Sequence, residues 1–170
     1  MLRGRPRADY KGRRASQMGR ATMPGKRGRT GIANIGYEKR TVHELIEALR
    51  ADGVRKVVDV RADPVSRRAE FNAKRLELSL RDAGIEYVPL REMGIPREVR
   101  KGPEGKAGKG ALLEWYARHL DANPGLVGRL VEMSRGPRIA MLCYEREESE
   151  CHRGVLSQRL RAAGVRVDAL

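Results

Sequence analysis

The stretch that indicates the fold most clearly is Ile139-Ala-Met-Leu-Cys-Tyr-Glu-Arg-Glu-Glu-Ser-Glu-Cys-His-Arg153, in which a short apolar run ends at Cys143 and polar residues follow. The run from Arg138 to Cys143 predicts a buried strand. Apolar residues then recur at helical spacing, at Val155, Leu156, Leu160 and Ala163. Ligands of open parallel sheets bind outside the carboxyl ends of the strands, and helix N-termini attract anions. This strand-to-helix junction is therefore the predicted site.

Strands and helices alternate along the rest of the chain. Strands are predicted at 30–36, 54–60, 85–90, 138–143 and 165–170. Thr41 and Glu44 form a capping box for the first helix, which is expected to end at Gly53, and Asn72 is expected to cap the second. Residues 91–110 lack periodicity and predict a long irregular loop. The pattern predicts an α/β fold, a single domain over 31–170 with a mostly parallel sheet of about five strands flanked by helices.

Positive charge is concentrated at the N-terminus. The chain of 170 residues holds 36 Lys and Arg against 22 Asp and Glu, a net charge of +14. Residues 1–30 contain ten Lys or Arg and one Asp, which gives +9 there and leaves +5 for the remainder. Because this segment also lacks apolar clusters, it predicts a basic disordered arm that binds DNA or RNA through phosphates. A merely solvated basic surface and an organelle-targeting segment are the alternatives.

Cysteine usage and hydropathy indicate the class of protein. Two cysteines eight positions apart, without a secretory signal, predict reduced thiols and a cytoplasmic location. No apolar run approaches the roughly 20 residues of a membrane span, so no membrane partner is expected. The sequence identifies no cofactor.

The predicted catalytic residues follow the fourth strand: Cys143, Glu145, His152 and Arg153. A thiol near Arg153, a protonated His152 and a helix N-terminus is expected to have a lowered pKa, which would make Cys143 nucleophilic. The alternative is a small core residue. Cys151 is expected to be more exposed and able to resolve an oxidised Cys143. Glu145 suits a general acid or base, or is a solvated carboxylate.

No metal site is predicted at this junction. The spacing Cys-x7-Cys-His lacks the short intervals of usual zinc modules, and adjacent Cys and His rarely bind one ion together. His152 is left as a proton donor, a phosphate ligand or an ordinary first-turn residue.

Polar residues also follow the second strand. Asp59 and Arg61 predict an ion pair that either orients the arginine towards an anion or is purely structural. Ser66, Arg67 and Arg68 supply hydroxyl and guanidinium donors that resemble a phosphate or carboxylate clamp, with an exposed basic turn as the alternative.

Five motifs occur together in a recognisable order: Asn-Ile-Gly-Tyr37, Asp59-Val-Arg61 with Pro64, Ser66, Arg67 and Phe71, Gly-Ile-x-Tyr87, Cys-x-Glu145, and Cys-His-Arg153. Over residues 31–170 the chain resembles the family called domain of unknown function 488. The resemblance implies an α/β domain whose motifs meet at one pocket. The positions of the residues and the resemblance together make the following the candidate ligand-binding residues: Tyr37, Asp59, Arg61, Ser66, Arg67, Arg68 and Cys151. Met93-Gly-Ile-Pro96 stands where the family has Leu-Gly-Gly.

Three functional interpretations are open from the sequence. The first is an enzyme with an anion-binding pocket for a nucleotide, nucleic acid or other phosphate-bearing substrate. The second is a non-catalytic nucleic-acid-binding or interaction module. The third is a thiol-based redox or sulfur-handling enzyme. Asp-Val-Arg is shared with rhodanese domains, but the Cys-centred loop used there for sulfur transfer is missing.

Overall fold

A computed structural model describes residues 30–170. They form one domain built around a five-stranded parallel sheet. The strands are β1 (Ile32–Gly36), β2 (Lys56–Asp59), β3 (Glu86–Pro89), β4 (Ile139–Cys143) and β5 (Val167–Ala169). Their order in the sheet is β3-β2-β4-β1-β5, and every neighbouring pair is parallel. The predicted α/β fold with a parallel sheet is confirmed. The predicted arm, except for Thr30, lies outside the described residues.

Helices cover both faces of the sheet. They are α1 (Val42–Ala51), α2 (Ala73–Asp82), α3 (Arg97–Lys101), α4 (Pro103–Ala107), α5 (Lys109–Ala122), α6 (Pro124–Ser134) and α7 (His152–Ala162). Alternate strand residues point to opposite faces: Val57 packs with the apolar residues of α1 and α2, whereas Val58 packs with those of α5, α6 and α7. The core is therefore two aliphatic layers, one on each side of the sheet.

The start of α1 confirms the predicted capping box. The Thr41 hydroxyl accepts a hydrogen bond from the Glu44 amide at 3.1 Å, and the Glu44 carboxylate accepts one from the Thr41 amide at 2.6 Å. Gly53, with φ of +74°, follows the end of the helix as predicted. Asn72 precedes α2, but its side chain does not cap the helix. It instead accepts a hydrogen bond from the Ser66 amide at 2.6 Å, so that it fixes the loop after β2.

The prediction of an irregular loop over 91–110 is wrong. A short 3-10 turn at Arg91–Met93 is followed by α3 and α4, and α5 begins at Lys109. α3 and α4 have five residues each, too few to display a full apolar period, which is why the pattern was invisible. They pack very closely, since a Cβ at Gly105 would lie 1.8 Å from the Arg100 carbonyl oxygen.

Within residues 30–170, no helix combines the length and the apolar character needed to cross a bilayer.

Opposite the carboxyl ends of the strands, a buried arginine holds three elements together. The Arg138 guanidinium contacts Asp52 at the end of α1 and, at 2.9 Å, Asp168 in β5. The Arg138 and Asp52 side chains are both buried, so that each compensates the other's charge.

We predict that Arg138→Ala lowers the free energy of unfolding by about 3 kcal/mol, because it removes a buried cation that compensates the charge of two carboxylates. Urea denaturation of the full chain measures the effect. Arg135→Ala is the matched control, since Arg135 forms an exposed pair with Glu132 and should contribute less than about 1 kcal/mol. Equal losses in the two variants would contradict a stabilising role for the buried pair.

Candidate active site at the carboxyl end of the sheet

A cavity of about 710 Å³ opens at the carboxyl end of the sheet. Nine of the eleven predicted site residues line it: Tyr37, Arg61, Ser66, Arg67, Arg68, Cys143, Glu145, Cys151 and His152. Asp59 and Arg153 lie beneath its surface and do not line it. The sequence predicts that these residues lie together because ligands of parallel sheets bind outside the carboxyl ends of the strands, and this cavity lies at that edge.

Arg61 lies in the wall that follows β2 and is held firmly by protein groups. The Asp59 carboxylate accepts from Arg61 Nε at 2.8 Å and from Nη2, while Arg61 Nη1 donates to the Tyr37 hydroxyl and the Phe71 carbonyl at 3.0 Å each. Burial alone would lower the pKa of Arg61, but Asp59 and Tyr37 raise it overall. The Tyr87 hydroxyl donates to Asp59 at 2.6 Å. Since most of its donors are occupied, Arg61 chiefly orients the wall.

The loop after β2 supplies the outer part of this wall. Arg68 stacks over the Phe71 ring at 4.5 Å and pairs with Glu70 at 2.9 Å. The Ser66 hydroxyl accepts from the Arg68 amide at 3.1 Å, so it shapes the turn. Arg67 is exposed, lines the cavity, and has no hydrogen-bond or ion-pair partner among residues 30–170. It is therefore a cation available to a ligand.

Arg153 is fully buried, with 0% of its surface exposed. Its guanidinium donates to the Asn34 side chain, to the Glu145 carbonyl and, through Nε at 3.4 Å, to Cys151 Sγ. No carboxylate in the described part of the chain pairs with it. A buried guanidinium requires a compensating charge, and the Cys151 sulfur is the neighbour able to supply it as a thiolate. Arg153 therefore positions other groups and does not touch a ligand.

The exposure and the pKa of the two thiols differ from the predictions made from the sequence. Cys151 is 2% exposed and Cys143 5%, so the prediction that Cys151 is the more exposed thiol is wrong. The pKa of Cys151 is lowered by the hydrogen bond from Cys143, against the effect of burial and with the help of His152 and Arg153. The pKa of Cys143 is raised by its bond to Cys151 and by burial. The lowered pKa predicted for Cys143 thus belongs to Cys151.

Cys143, Cys151 and His152 together form what we call the floor of the cavity. His152 is the first residue of α7. His152 Nε2 lies 3.0 Å from the Val60 carbonyl oxygen and donates to it, while Nδ1 faces Cys151 Sγ at 3.6 Å and Cys143 Sγ at 3.9 Å. Burial lowers the pKa of His152, but the Cys151 sulfur and the Val60 carbonyl raise it overall. The Tyr116 ring packs edge-on against the imidazole at 5.1 Å. The imidazole is thereby fixed in position.

Glu145 lines the cavity next to Cys143. Its carboxylate is 3.2 Å from Cys143 Sγ and lines the cavity. Burial, followed by the charge of Cys151, raises the pKa of Glu145. A carboxyl group with a raised pKa is suited to proton transfer near neutral pH.

Several cavity residues escaped the sequence analysis. Arg100 and Lys109 line the rim and pair with Asp63 and Glu150, respectively. They were missed because α3 and α5 were not expected to fold back over the sheet edge. Asn34 does not line the cavity but contacts Arg153. It belongs to the motif Asn-Ile-Gly-Tyr37 but was not predicted as a site residue, although a polar residue within the apolar run of β1 is a recognisable signal.

Residues 41–160 match the family described as Domain of unknown function DUF488. The chain belongs to this family. The family assignment agrees with the resemblance found in the motifs, and within the matched range the Asp59-Val-Arg61 and Cys151-His-Arg153 motifs of this DUF488 domain come together at the cavity. No curated protein and no solved structure matches the chain.

The end of β1 lies very close to the segment after β4, and a substitution at Gly36 can test this contact. A Cβ at Gly36 would lie 1.8 Å from the Glu145 carbonyl oxygen, the group that accepts from Arg153. We predict that Gly36→Ala lowers the free energy of unfolding by about 3 kcal/mol in urea denaturation, because backbone must move to relieve the overlap.

Gly128→Ala is the matched control for this variant. Gly128 lies within α6, and nothing stands within 4 Å of the position that its Cβ would occupy. The same exchange there should stabilise by about 0.5–1 kcal/mol, since alanine is the better helix former. Opposite signs at the two glycines are expected, and a neutral Gly36→Ala would contradict the tight approach.

Proposed function

We propose that the cavity is the active site of an enzyme whose substrate carries a phosphate or carboxylate group. The observation that carries the proposal is the position of Arg67. Its guanidinium is exposed and has no partner among residues 30–170, and it lines a cavity that also holds a carboxyl group, two thiols and an imidazole. A planar guanidinium matches the oxygens of phosphate and carboxylate groups.

The other rim cations support this assignment of roles. Arg68, Arg100 and Lys109 each pair with a carboxylate, so an incoming anion must compete for them. Arg67 meets no such competition within the described residues. An anion is therefore expected to bind first at Arg67 and to recruit Arg68, whose amide and side chain belong to the same turn.

The floor of the cavity supplies groups for a reaction. Glu145 is half-buried and lines the cavity two positions after β4, which makes it the best-placed general acid or base. Cys143, Cys151 and His152 lie next to it, so a substrate anchored by its anion at Arg67 would extend towards these groups. A pocket used for binding alone would not require an acid, two thiols and an imidazole at one place.

We predict that Arg67→Gln weakens the binding of inorganic phosphate about tenfold, equivalent to about 1.4 kcal/mol, because it removes a charged hydrogen-bond donor. Titration followed by phosphorus NMR line broadening measures the affinity. Arg97→Gln is the matched control, since Arg97 is exposed on α3 and does not line the cavity. Equal phosphate affinities for the Arg67→Gln variant and the wild type would contradict anion binding at Arg67.

A second candidate function, binding of DNA or RNA, rests on the charge of residues 1–30. That segment carries nine of the fourteen net positive charges, as the sequence shows. Phosphate contacts by such a segment give binding with little sequence preference and a steep dependence on salt. This activity would operate alongside the cavity and would not depend on it.

We expect a full-length variant with the ten Lys and Arg of residues 1–30 replaced by Gln to lose most of its affinity for duplex DNA and most of the slope of log affinity against log salt. Fluorescence anisotropy at several salt concentrations measures both. Replacing the eight Arg of the segment by Lys is the control, because charge is kept. An unchanged slope in the Gln variant would exclude the segment from nucleic-acid binding.

A further inference from the structure

We propose that Cys143, Cys151 and His152 form a binding site for a divalent zinc ion at the floor of the cavity. Cys143 Sγ, Cys151 Sγ and His152 Nδ1 all lie within 4.8 Å of one another. The proposal deepens the proposed function, because it concerns the same cavity. It can be tested without a substrate, so the two can fail separately.

The distances between the three atoms suit a tetrahedral ion. His152 Nδ1 is 3.6 Å from Cys151 Sγ and 3.9 Å from Cys143 Sγ. Zinc bonds of about 2.3 Å to sulfur and about 2.0–2.1 Å to nitrogen place two tetrahedral ligand atoms about 3.5–3.8 Å apart. Both sulfur-to-nitrogen distances therefore already lie within a few tenths of an ångström of those in a zinc site, and the two sulfurs lie within 4.8 Å of each other.

The backbone explains how neighbouring Cys and His can share one ion. Cys151 is extended, with φ of −132° and ψ of 151°, and caps α7, whereas His152 is the first helical residue. This change of conformation between them turns both side chains towards Cys143 at the end of β4. Adjacent Cys and His ligands are rare, but here the two residues have different backbone conformations and can face the same point.

Two of the three ligand side chains form hydrogen bonds of the kind that orient metal ligands. His152 Nε2 donates to the Val60 carbonyl, which directs the lone pair of Nδ1 towards the thiols. The Arg153 amide and Nε donate to Cys151 Sγ at 3.5 and 3.4 Å, an arrangement that stabilises a sulfur ligand as an anion. A metal-ligating imidazole almost always has such a partner on its second nitrogen.

The balance of charge also favours a divalent cation held by two thiolates. Zinc with two thiolates is neutral, and the two charged groups that contact the sulfur ligands, Arg153 at Cys151 and the Glu145 carboxylate at Cys143, are of opposite sign. Thiolate and imidazole ligands select zinc over magnesium or calcium, which prefer oxygen ligands. With three protein ligands, the fourth position would face the cavity and would accept water or a substrate oxygen, as in catalytic zinc sites.

Glu145 would then acquire a defined role. Its carboxylate is 3.2 Å from Cys143 Sγ and so lies next to the open position. Zinc lowers the pKa of a bound water to about 7, and an adjacent carboxylate can take up the proton that this water loses. The inference narrows the proposed enzyme to one that adds water, or another oxygen nucleophile, to an anionic substrate.

The principal rival is a disulfide between the two cysteines, and the experiment is designed to separate the alternatives. The full chain is reduced, freed of metal with a chelator, and titrated with Co²⁺ as a spectroscopic probe. We expect one equivalent to bind with thiolate-to-cobalt charge-transfer absorption and tetrahedral ligand-field bands, and one equivalent of Zn²⁺ to displace it. Zinc should also protect both thiols from alkylation.

Variants assign the ligands. Cys143→Ser and Cys151→Ser should each weaken zinc binding by at least about a hundredfold, more than the loss of a supporting hydrogen bond does. Serine at 151 is a good N-cap residue, so α7 is expected to form in that variant. Arg67→Gln should bind cobalt as the wild type does, which separates failure of the metal site from failure of anion binding.

Three results would overturn the proposal. The first is a reduced wild-type protein that binds no stoichiometric Co²⁺ or Zn²⁺, a measurement that needs no variant. The second is a wild-type cobalt spectrum retained in both serine variants. The third is a purified protein with no titratable thiol and a mass lower by two hydrogens, which identifies the pair as a disulfide.

Discussion

The site depends on the burial of one guanidinium, that of Arg153. It joins β1 through Asn34, the segment after β4 through the Glu145 carbonyl, and the start of α7 through the Cys151 sulfur. Water cannot compensate its charge because the side chain is fully buried. These three elements must therefore meet at one place for the fold to tolerate the cation, and the same meeting brings the thiols and the imidazole together.

The buried arginines of this domain are neutralised in two different ways. Arg61 pairs with Asp59, and Arg138 pairs with two aspartates, so each is compensated by permanent carboxylate charges. Arg153 has no carboxylate partner among the described residues and relies on Cys151. A thiolate is a costly choice for stability alone, because sulfur is ionised at neutral pH only when its surroundings are arranged for it. It is this sulfur that the proposed zinc site uses as a ligand.

Much of this arrangement could be read from the sequence, because its signals are local. Apolar runs predicted all five strands, and the strand-end rule placed the residues after β2 and β4 at one cavity. The errors have non-local causes. Cys151 is buried in the same apolar cluster as Tyr116 of α5, which comes from a distant part of the chain. Asn72 bonds to the Ser66 amide rather than capping α2, since the loop after β2 returns to the start of that helix. Neither contact leaves a pattern in neighbouring residues.

Val60 links the two sides of the cavity through its backbone. Its amide donates to the Leu142 carbonyl at 3.2 Å, which continues the pairing of β2 with β4, and its carbonyl accepts from His152 Nε2 at 3.0 Å. Arg61 follows directly and orients the wall that carries Arg67. The register of two parallel strands thus sets both the tautomer of the imidazole and the position of the cationic wall. In the proposed function, an anion held at that wall would be presented to Cys143, Cys151 and His152 in a fixed orientation, because one peptide unit joins the two sides of the cavity.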